Sequence, residues 1–152
     1  AVDRHWNLVA ANRMVPHLLE GADPSLLQAP INVLRLSLHP DGLAPRIANL
    51  AEWRAHLLAR LRRQVELTAD DRLIELLAEL RGLPAPASAG PARDFGGVAV
   101  PLRLATPMGL LSLLSATTVF GTPVDITLAE LALETFFPAD AATAEVLRRL
   151  AG

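Results

Sequence analysis

VAVPLRLATPMGLLSLLSATTVF, residues 98–120, is where the apolar period of the chain changes, and that change decides the fold class. Val98 to Ala105 and Leu110 to Phe120 carry the near two-residue period of strands. Thr106, Pro107, Met108 and Gly109 between them form a turn, so the pair reads as an antiparallel hairpin. Pro101 has no N–H to give a second neighbour, which places the first strand at a sheet edge. Downstream, Thr127 and Glu130 fit a capping box, whereas Leu131, Leu133, Thr135 and Phe137 alternate as in a strand. The β-branched and aromatic end, followed by Pro138, favours a strand from about Leu131. A last helix, Ala141 to Leu150, is capped by Asp140.

Upstream of the hairpin the period is helical. Leu50, Trp53, Leu57, Leu61 and Val65 mark a long helix over Leu50 to Thr68, with Asn49 as its cap. Asp70 or Asp71 caps a second helix with a Leu73, Ile74, Leu77, Leu80 stripe that ends at Gly82, and the two should pack as a hairpin. Leu83 to Gly97, rich in Pro, Ala, Ser and Gly, has no apolar period and reads as a flexible segment. Ile31 to Leu38 reads as a brief helix ended by His39, Pro40, Asp41 and Gly42, apolar except for the stripe Asn32, Arg35, His39. Ala22 to Pro30 is a loop. At the start, Trp6, Leu8 and Ala10 alternate with their neighbours as in a strand, and Asn12 caps a short helix that carries Pro16 in its first turn and stops at Gly21. One strand, several helices and then an antiparallel sheet make an α+β layer design of one domain over 1–152.

Composition narrows the function. Just over half the residues are apolar but only 4% are aromatic, so the interior must be aliphatic. All 14 basic residues are Arg, the net charge is -2, and only Arg60, Arg62 and Arg63 cluster, which leaves no electrostatic footprint for DNA. With no Cys there are no disulfides, thiolate metal sites or Cys nucleophiles. Charged residues or Pro interrupt every apolar run before it reaches the ~20 residues of a membrane span, so the expectation is a soluble domain.

Several phrases, in order, carry a resemblance: Trp6 to Asn12, then Asn32-Val33-Leu34-Arg35-Leu36 leading to His39-Pro40, then Trp53 and Leu61-Arg62-Arg63, then Phe120 to Asp125, and Phe137-Pro138-Ala139-Asp140. Together they resemble the MmyB-like ligand-binding domain of bacterial transcription regulators over nearly the whole chain. The resemblance implies a PAS-like fold, with helices on an antiparallel sheet and a hydrophobic cavity between them for a fatty-acid-like ligand. It also implies a preceding Xre-type helix-turn-helix domain through which DNA would be contacted; the whole regulator is expected to be a cytoplasmic homodimer. A start without Met, in the middle of a compact pattern, fits a cut-out domain whose DNA-binding half is absent. The chain departs from the pattern at Arg81-Gly82-Leu83-Pro84, where many members carry a longer Trp-containing segment.

The candidate ligand-binding residues are Trp6, Asn32, Arg35, Trp53, Leu57, Leu61 and Leu113. In the Asn32, Arg35, His39 stripe, Arg35 offers a fork for a carboxylate head group. The commoner explanation of such a stripe is a solvated face, with Asn32 a cap and His39 a turn residue. Trp53 fits a core anchor better than a cofactor platform, though it can still line a cavity. Arg60 and Arg62 are expected to pair with Glu52, Glu66 or Asp70. His5, His17, His39 and His56 show no metal-ligand spacing, and no nucleophile elbow, P-loop or dinucleotide fingerprint occurs, so no metal, cofactor or catalytic centre is expected. The rival to a sensor is a dimerisation module with a fully packed core and no ligand. An enzyme would need a carboxylate beside a histidine inside the cavity.

Overall fold

The computed structural model describes residues 1–85, 100–119 and 131–151. Among the described residues the order is β1 (Val2–Asp3), α1 (Val15–Leu19), α2 (Val33–Leu38), α3 (Leu50–Thr68), α4 (Asp71–Gly82), β2 (Leu102–Thr106), β3 (Gly109–Val119), β4 (Leu131–Pro138) and α5 (Ala141–Ala151). The strands form one antiparallel sheet in the order β1-β4-β3-β2, and with the helices they make an α+β, PAS-like fold.

The β2–β3 hairpin turns through Pro107 and Met108, with Thr106 paired to Gly109. Gly109 sits at φ +121, where a side chain would be strained. β2 is an edge strand, as the proline ahead of it suggests, although it begins only at Leu102 and Val98 and Ala99 lie outside the described residues. β4 covers Leu131–Pro138, a strand as its alternation indicates, while Thr127, Glu130, the phrase Phe120 to Asp125 and most of the segment read as flexible lie outside the described residues.

Cross-strand partners share a face, so the register sets the inner surface of the sheet. Leu102 opposes Leu113, Leu104 opposes Leu111, and all four are buried. Further along β3 the same parity reaches Ser115 and Thr117, which oppose Phe136 and Glu134 of β4. The inner face thus runs from leucine to polar side chains along β3.

α3 covers this face with Trp53, Leu57 and Leu61, all buried. It ends at Ala69, whose φ of 50 is left-handed and whose N–H bonds the Val65 carbonyl at 2.8 Å. Asp70 then accepts from the Arg72 N–H at 2.9 Å and starts α4, which packs against α3. Two expectations change here. Ile74 is exposed and Leu76 takes its place in the buried stripe, because the face of α4 that meets the core is set by α2 and α3 together. Asn49 makes no side-chain cap; its amide donates to the Pro101 carbonyl at 2.8 Å and its oxygen accepts from the Arg103 N–H at 3.1 Å, tying α3 to β2.

The N-terminal run is not the strand its alternation suggests. The strand is Val2–Asp3 on β4, and Trp6 has φ 67, so the chain reverses there. Asp3 organises that reversal: its carboxylate accepts from the backbone N–H groups of His5 and Asn7, both at 2.8 Å, and from the Asn7 amide at 2.9 Å. Asn7 and Leu8 make only isolated bridges, to Asn32 and Val2. The helix that follows is shorter than expected, Val15–Leu19, with Pro16 in its first turn; Asn12 accepts from the Met14 N–H at 3.0 Å in the turn before it. The loop before α2 contains a short 3-10 helix, Pro24–Leu27.

At the end of α2, Gly42 lies against backbone. A Cβ built there would stand 2.2 Å from the Leu36 carbonyl oxygen, which also accepts from the Leu43 N–H at 2.9 Å. Gly42→Ala is therefore expected to destabilise the fold by about 2–3 kcal/mol. Gly82→Ala, in α4 with nothing within 4 Å of the added carbon, should be neutral or slightly stabilising. Urea denaturation of the two variants measures the difference.

α5 is anchored at its start. Asp140 accepts from the Thr143 N–H at 2.7 Å, and the fully buried Thr143 hydroxyl accepts from the Ser112 N–H at 2.9 Å, so the helix cap is fixed to β3.

Candidate functional site

Between the N-terminal segment, α1, α2, α3, α5 and the inner face of the sheet lies a cavity of about 820 Å³. Its wall is mainly aliphatic: Leu18 and Leu19 from α1, Leu34 and Leu36 from α2, Leu57 from α3, Leu102, Leu104 and Leu113 from the sheet, and Leu147 from α5. The space is partly open to the surface rather than a sealed void. It falls within the roughly 300–1,000 Å³ of small-molecule sites.

Two aromatic rings frame it. Trp53 is buried, donates from Nε1 to the Ser37 hydroxyl at 2.9 Å, and stacks on His56 with centroids 5.6 Å apart. Trp6 is buried too, donates to Gln64 Oε1 at 2.8 Å, and carries the Arg60 guanidinium 4.6 Å above its ring.

Arg60 is the chief polar feature of the wall. It forks onto Glu134 of β4, Nη1 to Oε1 at 3.0 Å and Nη2 to Oε2 at 2.9 Å, and Nη2 also donates to Thr117 Oγ1. Thr117 in turn donates to Glu134 Oε2 at 2.9 Å. Burial pushes the Glu134 carboxyl up, but the Arg60 hydrogen bonds and charge, with the Thr117 and Ser115 hydroxyls, outweigh it and hold the group below the usual glutamate value. Burial, together with the Arg60 charge, depresses the His56 imidazole against the opposing pull of Glu134. A smaller pocket of about 170 Å³, lined by His56, Arg60, Val100, Ser115 and Thr117, adjoins the same guanidinium.

A mainly apolar cavity of ligand size, bounded by helices on one side and a PAS-like sheet on the other, is the architecture of a binding domain. The family model of the MmyB-like transcription regulator ligand binding domain matches residues 1–150. The chain belongs to that family. Neither comparison with curated proteins nor comparison with solved structures gives a match. Membership in the MmyB-like family makes this a regulatory, ligand-sensing domain of the kind found in transcription regulators, and that family is not one of enzymes.

The structure distributes the seven candidate residues unevenly. Trp6, Trp53, Leu57 and Leu113 line the MmyB-like cavity. Leu61 is fully buried in the core but is not among the lining residues. Asn32 is also buried away from the lining: its side chain accepts from the Arg35 N–H at 3.1 Å, capping α2, and donates to the His5 carbonyl at 2.9 Å. Arg35 does not reach the cavity. Its guanidinium forks onto Glu79 of α4, Nε to Oε1 at 2.5 Å and Nη2 to Oε2 at 2.7 Å, with both side chains about 40% exposed. A solvated pair of that kind contributes little to stability, but it occupies the fork that a head group would need. His39 is the residue after α2, and its Nδ1 accepts from the Asp41 N–H at 3.1 Å.

Arg60 departs from the pairing with Glu52, Glu66 or Asp70 that the sequence suggests, and Glu134 is given no role by the sequence. Arg62 does meet Glu66, at 3.5 Å, but Arg60 reaches across 74 positions to Glu134 rather than to a helical neighbour. One signal was available: Glu134 is the only charged residue in Leu131–Pro138, an otherwise apolar and hydroxyl-bearing strand. Among the described residues no group of three His, Asp or Glu side chains could hold a metal ion, and no helix is long and apolar enough to cross a membrane.

Proposed function

We propose that this domain senses a hydrophobic, fatty-acid-like effector held in the cavity between helices and sheet, and relays its presence to a helix-turn-helix DNA-binding domain of a cytoplasmic, homodimeric regulator. The observation that carries the reading is the aliphatic wall around about 820 Å³ of space. An alkyl chain gains about 0.8 kcal/mol for each CH₂ it buries there, with no polar partner required along most of its length. The effector acts by population shift: it stabilises the packing of α1, α2 and α5 that encloses it, and that bias alters the placement of the DNA-binding domains.

The domain does no chemistry in this reading. Glu134 and His56 both flank Arg60, yet Glu134 is held ionised by Arg60 and Thr117 and is a poor proton acceptor there. A dimerisation module is the second reading, favoured by exposed Leu131 and Phe137 on β4, which share a strand face and do not line the cavity.

Native mass spectrometry of the purified chain and a thermal-shift series with saturated fatty acids test the choice. A co-purifying amphiphile, or a rise in Tm that grows with chain length and then stops when the cavity is full, supports sensing. A ligand-free dimer whose Tm no fatty acid alters supports the dimerisation module instead.

A further inference from the structure

The walls of the cavity change character in step. Along α3 the residues that line the cavity are Trp53, Leu57 and Arg60, and Arg60 lies about 10 Å along the axis from Trp53. Along β3 the inner face runs Leu111, Leu113, Ser115, Thr117, with Glu134 opposite Thr117. Both walls therefore turn polar at the same end, where Arg60, Thr117 and Glu134 close a hydrogen-bonded triangle and the pocket of about 170 Å³ adjoins. A guanidinium that already receives a carboxylate in fork geometry is matched to that group.

We infer that Arg60 is the head-group anchor for a carboxylate-bearing aliphatic ligand, and that Glu134 is an intramolecular placeholder which the ligand carboxylate displaces. This rests on the reading of the cavity as a site for a fatty-acid-like ligand and adds to it the residue that holds the polar end, the group it displaces and a route for the signal. Two carboxylates cannot share one guanidinium face without repulsion, so ligand entry releases Glu134. Glu134 belongs to β4, the strand that also pairs with β1 at the N-terminal end of the chain. Exchange at Arg60 thus unclasps α3 from the strand that holds the N-terminal segment, while the hydrophobic contacts supply the affinity.

Calorimetric titration with dodecanoate and with dodecanol, which share an alkyl chain and differ in head group, tests the anchor. In the wild type, dodecanoate should bind about tenfold more tightly than dodecanol. Arg60→Gln should erase that preference, and Arg60→Lys, which keeps the charge but not the fork, should restore part of it. Glu134→Gln is the diagnostic variant: it removes the competing anion and should tighten dodecanoate by about tenfold while leaving dodecanol unchanged. A residue that merely held β4 in place would weaken both ligands alike. The anchor is overturned if Arg60→Gln or Glu134→Gln shifts the two ligands equally, or if dodecanol binds as well as dodecanoate to the wild type, and the hydrophobic site then still stands. Failure of both ligands to bind the folded wild type overturns the site and the anchor together.

Discussion

Trp53→Ala should lower the unfolding free energy by about 3–5 kcal/mol, a large share of the roughly 5–15 kcal/mol that holds a domain together. Trp53 is the largest side chain that α3 buries, and it joins three parts of the fold: it packs under α2 through the bond to Ser37, stacks on His56, and forms part of the cavity wall. Truncation leaves the core with an enlarged void and the Ser37 hydroxyl without its donor. Trp53→Phe keeps a ring but not the N–H, and should fall between, with about 0.5–1.5 kcal/mol of its cost assigned to the hydrogen bond. Urea denaturation followed by circular dichroism measures both. A loss below about 1 kcal/mol for Trp53→Ala would mean that the ring is not a core anchor.

Filling the cavity should separate binding from folding. Leu57 is buried on α3 and faces the cavity, so Leu57→Trp projects an indole into existing space rather than into packed neighbours. The expected result is a loss of dodecanoate affinity of about a hundredfold or more, with a Tm equal to or above that of the wild type. Leu67→Trp, on the exposed side of the same helix, should change neither. Unchanged affinity in Leu57→Trp would place the ligand somewhere other than against α3.

What the sequence revealed was decided locally. α3 and α4 were legible because an apolar stripe at helical spacing coincides with end signals, and α5 because Asp140 precedes a good helix former and bonds the Thr143 N–H. The β2–β3 hairpin was legible because Pro107, Met108 and Gly109 leave few alternatives to a tight turn. The errors share a nonlocal cause. Alternation from Trp6 to Ala11 imitates a strand, but Asp3 turns the chain and sends Trp6 into a left-handed conformation, which no period reports. Asn49 stands where a cap should stand, yet β2, more than 50 positions away, offers its amide better partners.

The site followed the same rule. Its hydrophobic wall could be anticipated in Trp6, Trp53, Leu57 and Leu113, since large apolar side chains on a buried stripe face either the core or a cavity within it. Its polar end could not be found by helical spacing. Arg35 offered the better local argument, a lone cation on an apolar helix, but α4 brings Glu79 to it. Arg60 seemed to have acidic neighbours in its own helix, and only the packing of α3 across the sheet sets it against Glu134 and Thr117. A pairing between elements is legible from sequence when one partner is out of place in its own element, and Glu134 within β4 is such a residue.

The central claim is that an alkyl chain lies between α3 and the inner face of the sheet. Isotope-filtered nuclear Overhauser spectroscopy of the leucine-methyl-labelled protein with unlabelled dodecanoate tests it directly. The account predicts contacts from the alkyl protons to Leu57, Leu104 and Leu113, and none to Leu80, which is fully buried but outside the cavity wall. Contacts confined to exposed leucines such as Leu67 and Leu110, or no contacts at saturating dodecanoate, would contradict it.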